Sequence, residues 1–523
     1  MALRRFAALL VLLAASSLSA DPPGVYAITG GTVHPVSGPD IANGIVIVRD
    51  GLVEAVGANV PIPADATTID AKGMHVYPGL IDAQTSLGFK AVKSDDDDDD
   101  DAKRPPEPTP DSLALRSTKI SDDDADAKRA TGVTTIVTAP SFGIFNGQSA
   151  ILNLGEGSID SRVIKSPAAM QISFAPRPTW TYPDSLMGVM SFLRQSFLDA
   201  QQNAAARAIY DKNPAGLKRP DESAAADALA RVIRRDVPVV FIADSDAMMR
   251  RAQTLAHEFD LRFVISGARQ AYRMPDELKS VPVLVSVKWP VAPSSKEDRE
   301  DQPLRIIRDR QLAPTTPSVL VKSGVSFALV SGAGKAGDFL PGIRKAIENG
   351  LSADDALRAT TLWPARIFGV DRQLGSLDRG KIANVVISDK PIFEKDAKVK
   401  RVLVDGREIR LPADDKKPAE SGASTIDGTW SLTVRLSEAT AAIRVTLHNE
   451  DGKLTGTYSG DRGSGDIRNG RFEGSTVDFT IAAVAQGAET SDWIFHGTLK
   501  DGALEGTVAT NTGSAQFSGS KEP

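Results

Sequence analysis

The sequence has no cysteine, only five histidines and no long apolar run after its first twenty residues. A chain without cysteine forms no disulfide bond, no thiolate metal site and no lipid-modified cysteine. A membrane-spanning helix needs a run of about 18 or more apolar residues, which excludes a span after that point. The Lys and Arg residues form no basic stripe and the net charge is −6, so nucleic acid is not an expected partner.

The first twenty residues, 1–20, have the pattern of a signal peptide. Arg4 and Arg5 precede an apolar stretch over 6–15, and Ala20 is the expected cleavage point. The alternative is a buried N-terminal helix, which fits the order of charged, apolar and small residues less well. We therefore expect a periplasmic or extracellular protein without a membrane span after cleavage.

Three patterns divide the remaining sequence, whose length predicts two to four domains at about 100–200 residues each. Residues 21–76 and 376–412 are rich in short strands, which predicts one composite β-sandwich domain. Residues 77–375 alternate strands and helices, which predicts an α/β fold with a parallel (β/α)8 TIM-like barrel. After a polar linker at 413–425, hairpin signals over 426–523 predict a C-terminal antiparallel β-barrel or sandwich domain.

Local signals specify some of these elements. Asp50-Gly51 between two apolar runs predicts a tight hairpin. Apolar residues at helical spacing predict a helix over 185–206, with Asp184 as its cap. Isolated aromatic residues in the C-terminal strands are expected to fill a core: Trp430, Phe479, Trp493 and Phe495.

An unbroken acidic run extends from Asp95 to Asp101 and is followed by several prolines. Like charges at this density repel each other, so we expect a solvated loop. A calcium site is the alternative, but the run lacks the glycine and the distal glutamate of a calcium-binding loop.

Three motifs follow one another along the middle of the chain: VYPGLIDA at 76–83, GLS with ALRATTLWPARIFG at 350–369, and LGSLDRGKIAN at 374–384. They resemble the amidohydrolase superfamily's entry into its first barrel strand, its last barrel helices and its return to the β domain. The resemblance covers 25–410. Two further stretches, GVTT at 132–135 and NGQSA at 146–150, make the imidazolonepropionase-like subgroup the most similar.

The resemblance implies metal-assisted hydrolysis, usually of a carbon–nitrogen bond, in which a divalent ion lowers the pKa of a bound water. In that family His-x-His follows the first motif almost directly, and these positions are Gln84 and Ser86 here. By strand order, the other expected donor positions fall near Asp244 or Ile242, near Gly267 and near Gly332. Amides and hydroxyls are poor zinc ligands beside imidazole, so no metal cofactor is expected.

The histidines support this interpretation by their spacing. No two of them are separated as in His-x-His or as on one turn of a helix: His34, His75, His257, His448 and His496. A zinc site without them and without cysteine would consist almost entirely of carboxylates, which is unusual for zinc.

The sequence therefore supports two main hypotheses. The first is an exported amidohydrolase-like protein, catalytically inactive or altered, that binds a small molecule or an active amidohydrolase relative. The alternative is a hydrolase of carbon–nitrogen (non-peptide) bonds with a rebuilt metal or acid/base site, in which two carboxylates would hold a divalent metal or act as acid and base. Candidate residues at the barrel mouth are Asp82, Gln84, Ser86, Asp244, Asp246, Gly267, Gly332 and Lys335.

Simpler roles compete with two of these assignments. For Asp82 we favour a structural role that supports its loop, and for Asp244 a solvated helix cap, because Asp commonly precedes helices. A third hypothesis places ligand binding in the C-terminal β domain and makes the barrel a scaffold. Both a monomer and an oligomer are compatible with the sequence.

Overall fold

The structure is a computed structural model, and it divides the chain into two units, Met1–Leu411 and Pro412–Pro523, which are described separately. The predicted signal peptide, the acidic run and the interdomain linker lie outside the described residues. The described residues are 24–89, 109–177, 181–293, 302–332, 334, 336–411, 426–435, 440–450, 453–460, 463–473, 476–484, 490–500, 503–510 and 513–522.

Both flanks of the first unit contribute strands to one mixed sheet. Its strands are β1 (Tyr26–Val33), β2 (Ile41–Arg49), β3 (Leu52–Gly57), β4 (Thr67–Asp70), β5 (His75–Pro78), β16 (Val385–Ser388), β17 (Val399–Val404) and β18 (Arg407–Ile409). The order is β18-β17-β16-β5-β1-β2-β3, with β4 also paired to β1. The antiparallel pair β16–β5 joins the two flanks. A division into two packed sheets stays a prediction.

The predicted hairpin between β2 and β3 is confirmed, with Arg49 opposite Leu52. Asp50 and Gly51 have φ values of +52° and +79°, the left-handed conformation that a two-residue hairpin turn of this type requires. Glycine adopts this conformation without steric cost, which explains the strength of the Asp-Gly signal.

Ten further strands lie between the two flanks. They are β6 (Leu80–Thr85), β7 (Val133–Thr138), β8 (Phe145–Gln148), β9 (Ala150–Asn153), β10 (Val163–Lys165), β11 (Met170–Ser173), β12 (Val239–Ala243), β13 (Phe263–Gly267), β14 (Val283–Ser286) and β15 (Phe327–Val330). They form two sheets, ordered β10-β9-β7-β6 and β15-β14-β13-β12-β11-β8.

The strand pairings of these two sheets run in a ring. Ser149 alone separates β8 from β9, so the two strands continue one path from one sheet to the other. At the other junction, Thr85 at the end of β6 forms a parallel bridge with Gly332, two residues after β15. Gly332 N donates a hydrogen bond of 2.9 Å to Gln84 O at this bridge.

One part of the ring corrects the predicted all-parallel arrangement. β9 is antiparallel to β7, and β8 is antiparallel to β11. Only residues 139–144 connect β7 to β8. Since β8 and β9 continue one path, this link joins β7 to the path that lies beside it. Parallel neighbours need a crossover of about a dozen residues or more, so such a short link permits only an antiparallel arrangement.

Helices follow most of the other ring strands. They are α1 (Ala114–Ser117), α2 (Asp122–Arg129), α3 (Leu186–Lys212), α4 (Ala224–Ile233), α5 (Asp246–Glu258), α6 (Leu304–Leu312), α7 (Thr316–Lys322), α8 (Phe339–Glu348), α9 (Ala353–Ala359) and α10 (Leu362–Ile367). Short 3-10 helices occupy Asp160–Arg162, Ala271–Arg273, Pro275–Leu278, Ala313–Thr315 and Ala336–Asp338. None of the described helices combines the length and the apolar character needed to cross a bilayer.

The predicted helix over 185–206 is found as α3, but the predicted cap Asp184 is wrong. Ser185 directly precedes the first helical residue, and its Oγ accepts a hydrogen bond of 3.2 Å from Gly188 N. This is the position from which a side-chain oxygen reaches a free N–H of the first helical turn.

Two apolar layers lie on either side of the ring strands. Leu80, Phe241 and Leu329 pack in the layer that contains residues of the surrounding helices. Ile81, Val240 and Val330, their neighbours in sequence, belong to a separate cluster. Because successive strand residues point to opposite faces, the second cluster fills the interior of the ring.

The second unit is a nine-stranded antiparallel sheet that closes on itself. Its strands are β19 (Gly428–Arg435), β20 (Thr440–Glu450), β21 (Lys453–Gly460), β22 (Gly463–Asp466), β23 (Arg468–Glu473), β24 (Thr476–Val484), β25 (Thr490–Lys500), β26 (Ala503–Thr510) and β27 (Gly513–Lys521). β20 pairs with both β19 and β21, which closes a barrel-like domain. The four aromatic residues predicted for its core are at most 5% exposed: Trp430, Phe479, Trp493 and Phe495.

Candidate functional site

The carboxyl ends of the ring strands are the first place to look for chemistry, because enzymes with parallel strand–helix rings place their reactive groups there. On β6, Asp82 pairs with Ile136 and Thr85 with Thr138. Two residues of β6, Ala83 and Gln84, therefore lie opposite the single residue Val137 of β7. Such a bulge re-aims a side chain. The side chain of Gln84, within this bulge, contacts residues of β11 and β13 across the ring.

Four neutral side chains form what we call the polar cluster: Gln84, Ser149, Gln171 and Ser266. Ser266 Oγ donates to Gln84 Oε1, and Gln84 Nε2 lies 3.4 Å from Gln171 Oε1. Gln171 Nε2 donates to Ser149 Oγ at 3.2 Å. Ser149, Gln171 and Ser266 are buried, whereas Gln84 is partly buried. The cluster is therefore a continuous chain of hydrogen bonds that joins β6, β11, β13 and the junction of β8 with β9.

A divalent metal does not fit these residues. Gln84 occupies the first expected histidine position, and both polar atoms of its amide are already bonded to Ser266 and Gln171. Amide and hydroxyl groups are weak ligands for zinc compared with imidazole or carboxylate. Within the described part of the chain, no group of three or more His, Asp or Glu side chains is arranged to hold a metal ion.

Asp82 lies behind the polar cluster, on the side of β6 that faces α2. Lys128 Nζ donates to Asp82 Oδ2 at 2.6 Å and to Ser331 Oγ at 3.0 Å. Ser331 N donates to Asp82 Oδ1 at 3.0 Å. Both charged side chains are at most 1% exposed. This buried ion pair connects β6, α2 and the residue after β15, and it gives Asp82 a structural role.

Asp244 lies at the mouth of the ring, directly after β12. Arg269 Nη2 donates to Asp244 Oδ2 at 2.6 Å and Arg269 Nε to Asp244 Oδ1 at 3.2 Å, which makes a two-pronged ion pair. The cap of α5 is instead Ser245, whose Oγ accepts from Met248 N at 3.3 Å. The expectation that Asp244 caps this helix is therefore wrong.

Gly267 makes room for this ion pair. Its φ is +88°, and a Cβ atom at this residue would lie 2.4 Å from Asp244 Oδ1. Ala243 pairs with Gly267, and Ile242 with Ser266, in the β12–β13 register. Asp244 thus lies two residues beyond Ile242, the residue of β12 that pairs with Ser266 of the polar cluster.

The remaining candidate residues from the sequence belong neither to the polar cluster nor to the Asp244–Arg269 pair. Asp246 is in the first turn of α5 and accepts from Arg250 Nη1 at 3.5 Å. Ser86 is partly buried after β6, and its carbonyl oxygen accepts from Phe89 N at 3.0 Å. Gly332 contributes its backbone to the ring closure. Lys335 lies outside the described residues.

A second polar network at the mouth was not predicted from the sequence. Asp309 on α6 accepts hydrogen bonds from Gln270 Nε2 at 2.7 Å and Tyr272 Oη at 2.6 Å, and it pairs with Arg273. Burial alone would raise the pKa of Asp309, but the hydrogen bonds from Tyr272 and Arg273 hold it below its ordinary value. The network fixes the loop that follows Arg269. Asp309 lies 36–39 residues after its three partners, so the network does not form a sequence motif.

Comparison with known proteins relates this chain to one protein family. Residues 315–409 match the model of the amidohydrolase family. The chain is similar to the amidohydrolase from Thermotoga maritima MSB8, with 24% identity, a TM-score of 0.63 and coverage of 74% of this chain and 100% of that chain. It is also similar to molinate hydrolase, with 17% identity, a TM-score of 0.46 and coverage of 75% and 95%. Phenylurea hydrolase B has 14% identity, a TM-score of 0.47 and coverage of 74% and 97%.

These findings confirm the resemblance to the amidohydrolases that the sequence motifs indicated. The match over 315–409 begins before β15 and ends at β18, so it includes two of the three motifs. The likeness to the Thermotoga maritima protein is one of fold. It agrees with a mixed α/β ring that carries an added β sheet. The assignment to the imidazolonepropionase-like subgroup stays a prediction.

Proposed function

We propose that this chain is a hydrolase of carbon–nitrogen bonds other than peptide bonds, working on an amidohydrolase scaffold with a rebuilt, metal-free site. The observation that carries the proposal is the half-exposed Asp244–Arg269 pair at the carboxyl ends of the ring strands. The family match supports the substrate class. We further infer that the ring is the eight-stranded barrel of this family, with β8 and β9 as one strand.

Substrate binding is assigned to the polar cluster. Glutamine amides and serine hydroxyls both donate and accept hydrogen bonds, so they complement an amide or cyclic ureide better than a charged group. Gln84 is the member that is only partly buried, so we assign the first contact with a substrate to its side chain. Exchanging its weak 3.4 Å contact to Gln171 for a substrate hydrogen bond would cost little.

The reaction is assigned to Asp244 and Arg269. The Asp244 carboxylate takes a proton from water while the water oxygen bonds to the carbonyl carbon of the substrate. The guanidinium of Arg269 stabilises the negative oxygen of the tetrahedral intermediate. The carbon–nitrogen bond then breaks, and the proton held by Asp244 passes to the leaving nitrogen. No step requires a metal.

The test is hydrolysis of simple amides and cyclic ureides by the purified mature protein in the presence of a metal chelator, with bound metal measured by elemental mass spectrometry. We expect turnover that resists chelation, and a loss of about 100-fold or more in Asp244→Asn, the usual range for a general base. Asp246→Asn, the matched control two residues away, should keep its rate. Metal near one equivalent that is lost on Asp244→Ala would overturn the proposal.

A second candidate function is binding without catalysis, either of a small molecule or of an active amidohydrolase relative. The observation that favours it is the neutral polar cluster at a position where the family holds metal. Binding of an amide without turnover, by wild type and Asp244→Asn alike, would support this candidate against the hydrolase.

Location outside the cytoplasm is part of the proposal. It is supported by the signal-peptide pattern of residues 1–20. N-terminal sequencing of the protein purified from its native host should begin at Asp21. A chain that begins at Met1 would contradict export by this route.

A further inference from the structure

A cavity of about 590 Å³ lies at the opposite end of the ring from the candidate active site. It is bordered by residues just before β12, β13 and β14, for example Pro238, Arg262 and Pro282, and by the end of α10. The amino ends of these strands lie far from the Asp244–Arg269 pair, which follows the carboxyl ends. The cavity therefore belongs to a different site.

The charge of the cavity wall is strongly unbalanced. Four cationic side chains, of Lys165, Arg235, Arg262 and Arg366, line it together with a single carboxylate, that of Asp260. Arg235 pairs with this carboxylate at 3.2 Å. In the described part of the chain, neither Arg262 nor Arg366 forms an ion pair with a carboxylate.

The ammonium group of Lys165 is affected by the same excess of positive charge. Its Nζ donates to Phe368 O at 2.8 Å, which holds the ammonium group at the cavity wall. Burial, and then the positive charge of Arg262, lower the pKa of Lys165 below its ordinary value. A negative ligand between these two side chains would relieve the repulsion.

The rest of the wall is mostly apolar, with His257 and Ser280 as its polar side chains. Phe263, Pro238, Pro282 and Val281 contribute to it beside the cationic side chains. A volume of this size falls in the range of about 300–1,000 Å³ that is typical of small-molecule sites. A ligand that fits both parts of the wall has an anionic group at one end and an apolar group at the other.

We propose that this cavity binds a small organic phosphate, in which the phosphate contacts Arg262 and Arg366 and the organic group contacts the apolar wall. Guanidinium groups bind phosphate oxygens in pairs of parallel hydrogen bonds, and two unpaired arginines match the double charge of a phosphate monoester. A monocarboxylate would neutralise only one of the free cations and should bind more weakly.

The experiment is calorimetric titration of the mature protein with phenyl phosphate, and separately with inorganic phosphate and benzoate. We expect phenyl phosphate to bind most tightly, and the double variant Arg262→Gln with Arg366→Gln to weaken it by about tenfold or more, as expected for lost hydrogen bonds between charged groups. Arg308→Gln, which removes an exposed arginine on α6, is the matched control and should leave binding unchanged.

Equal weakening in the Arg308→Gln protein would mean general attraction of anions to a basic surface, and it would overturn the proposal. Absence of measurable binding by phenyl phosphate would overturn it as well, as would equal affinity for benzoate. Because both cavity arginines are exposed, the double variant should unfold at the wild-type temperature, which a thermal melt verifies.

Discussion

Lys128 Nζ lies 2.6 Å from Asp82 Oδ2, and both side chains are almost entirely excluded from solvent. Sequence separates the two residues by 46 positions, and they belong to different elements, a helix and a ring strand. A buried charge without its partner lowers the stability of the folded protein far more than a buried pair does. Each of the two residues is therefore needed for the stability of a fold that contains the other.

Lys128→Met is therefore expected to lower the free energy of unfolding by about 3–5 kcal/mol, because it leaves the Asp82 carboxylate buried without a cation. Chemical denaturation followed by circular dichroism measures this difference. The double variant with Asp82→Asn carries no buried charge and should recover part of the loss. A single variant that loses less than about 1 kcal/mol would contradict the importance of the pair.

Gly267→Ala is expected to destabilise the protein and to displace the Asp244 side chain. The new Cβ would lie 2.4 Å from Asp244 Oδ1 in a residue with φ of +88°. The control is Gly324→Ala, which also has a positive φ, +70°, but no atom within 4 Å of the new Cβ. In both variants the left-handed backbone lowers the free energy of unfolding by about 1–2 kcal/mol. A larger loss in Gly267→Ala than in Gly324→Ala therefore measures the clash with Asp244. Equal losses in both would contradict it.

Ser185→Ala should lower the free energy of unfolding by about 1 kcal/mol, the usual contribution of an N-cap side chain. The structure assigns this cap to Ser185, whose Oγ accepts from Gly188 N. Asp184→Ala, one residue earlier, should change stability much less. Thermal and chemical unfolding of both variants test the assignment, and the reverse order of effects would restore Asp184 as the cap.

Stability should fall as the pH is lowered from about 6.5, because of a histidine in the composite sheet. Burial, and then the neighbouring His34, lower the pKa of His75 below its ordinary value of 6.5, against the opposing influence of Glu394 and Asp40. The unfolded chain then binds more protons than the folded chain in the window between the two pKa values, so the free energy of unfolding decreases as pH falls through it.

Melting temperatures between pH 5 and pH 8 test this dependence. His75→Asn removes the titrating group, so its stability should change less over the same interval. The imidazole of His75 contacts His34 through a hydrogen bond of 3.0 Å, and the variant will lose this contact at every pH. An unchanged pH slope in the variant would contradict the assignment to His75.

Short-range patterns predicted much of the fold. The Asp50-Gly51 turn, the helix after 185 and the aromatic core of the C-terminal domain depend on neighbouring residues or on a regular period, and they are found as expected. The antiparallel direction of β8–β9 was missed because strand–helix alternation elsewhere suggested one direction for the whole ring. The short connection at 139–144 was the available signal.

The site depends on distant contacts and was harder to predict. Gln84 was singled out because it replaces a histidine, but nothing in its motif identifies Gln171 and Ser266 as its partners. The bulge that re-aims Gln84 is a matter of pairing register, which one strand's sequence does not encode. Asp244 was singled out because it follows a strand, while its ion pair with Arg269 requires the adjacent strand β13.

The closed pairing of the C-terminal domain affects how easily that domain can aggregate. Because β20 pairs with β19 on one side and β21 on the other, β20 does not form an open edge of the sheet. Open sheet edges recruit strands from other molecules and start aggregates. A domain whose long strand β20 is paired on both sides can be carried at the end of a polypeptide, or moved to another one, with less self-association through β-strands.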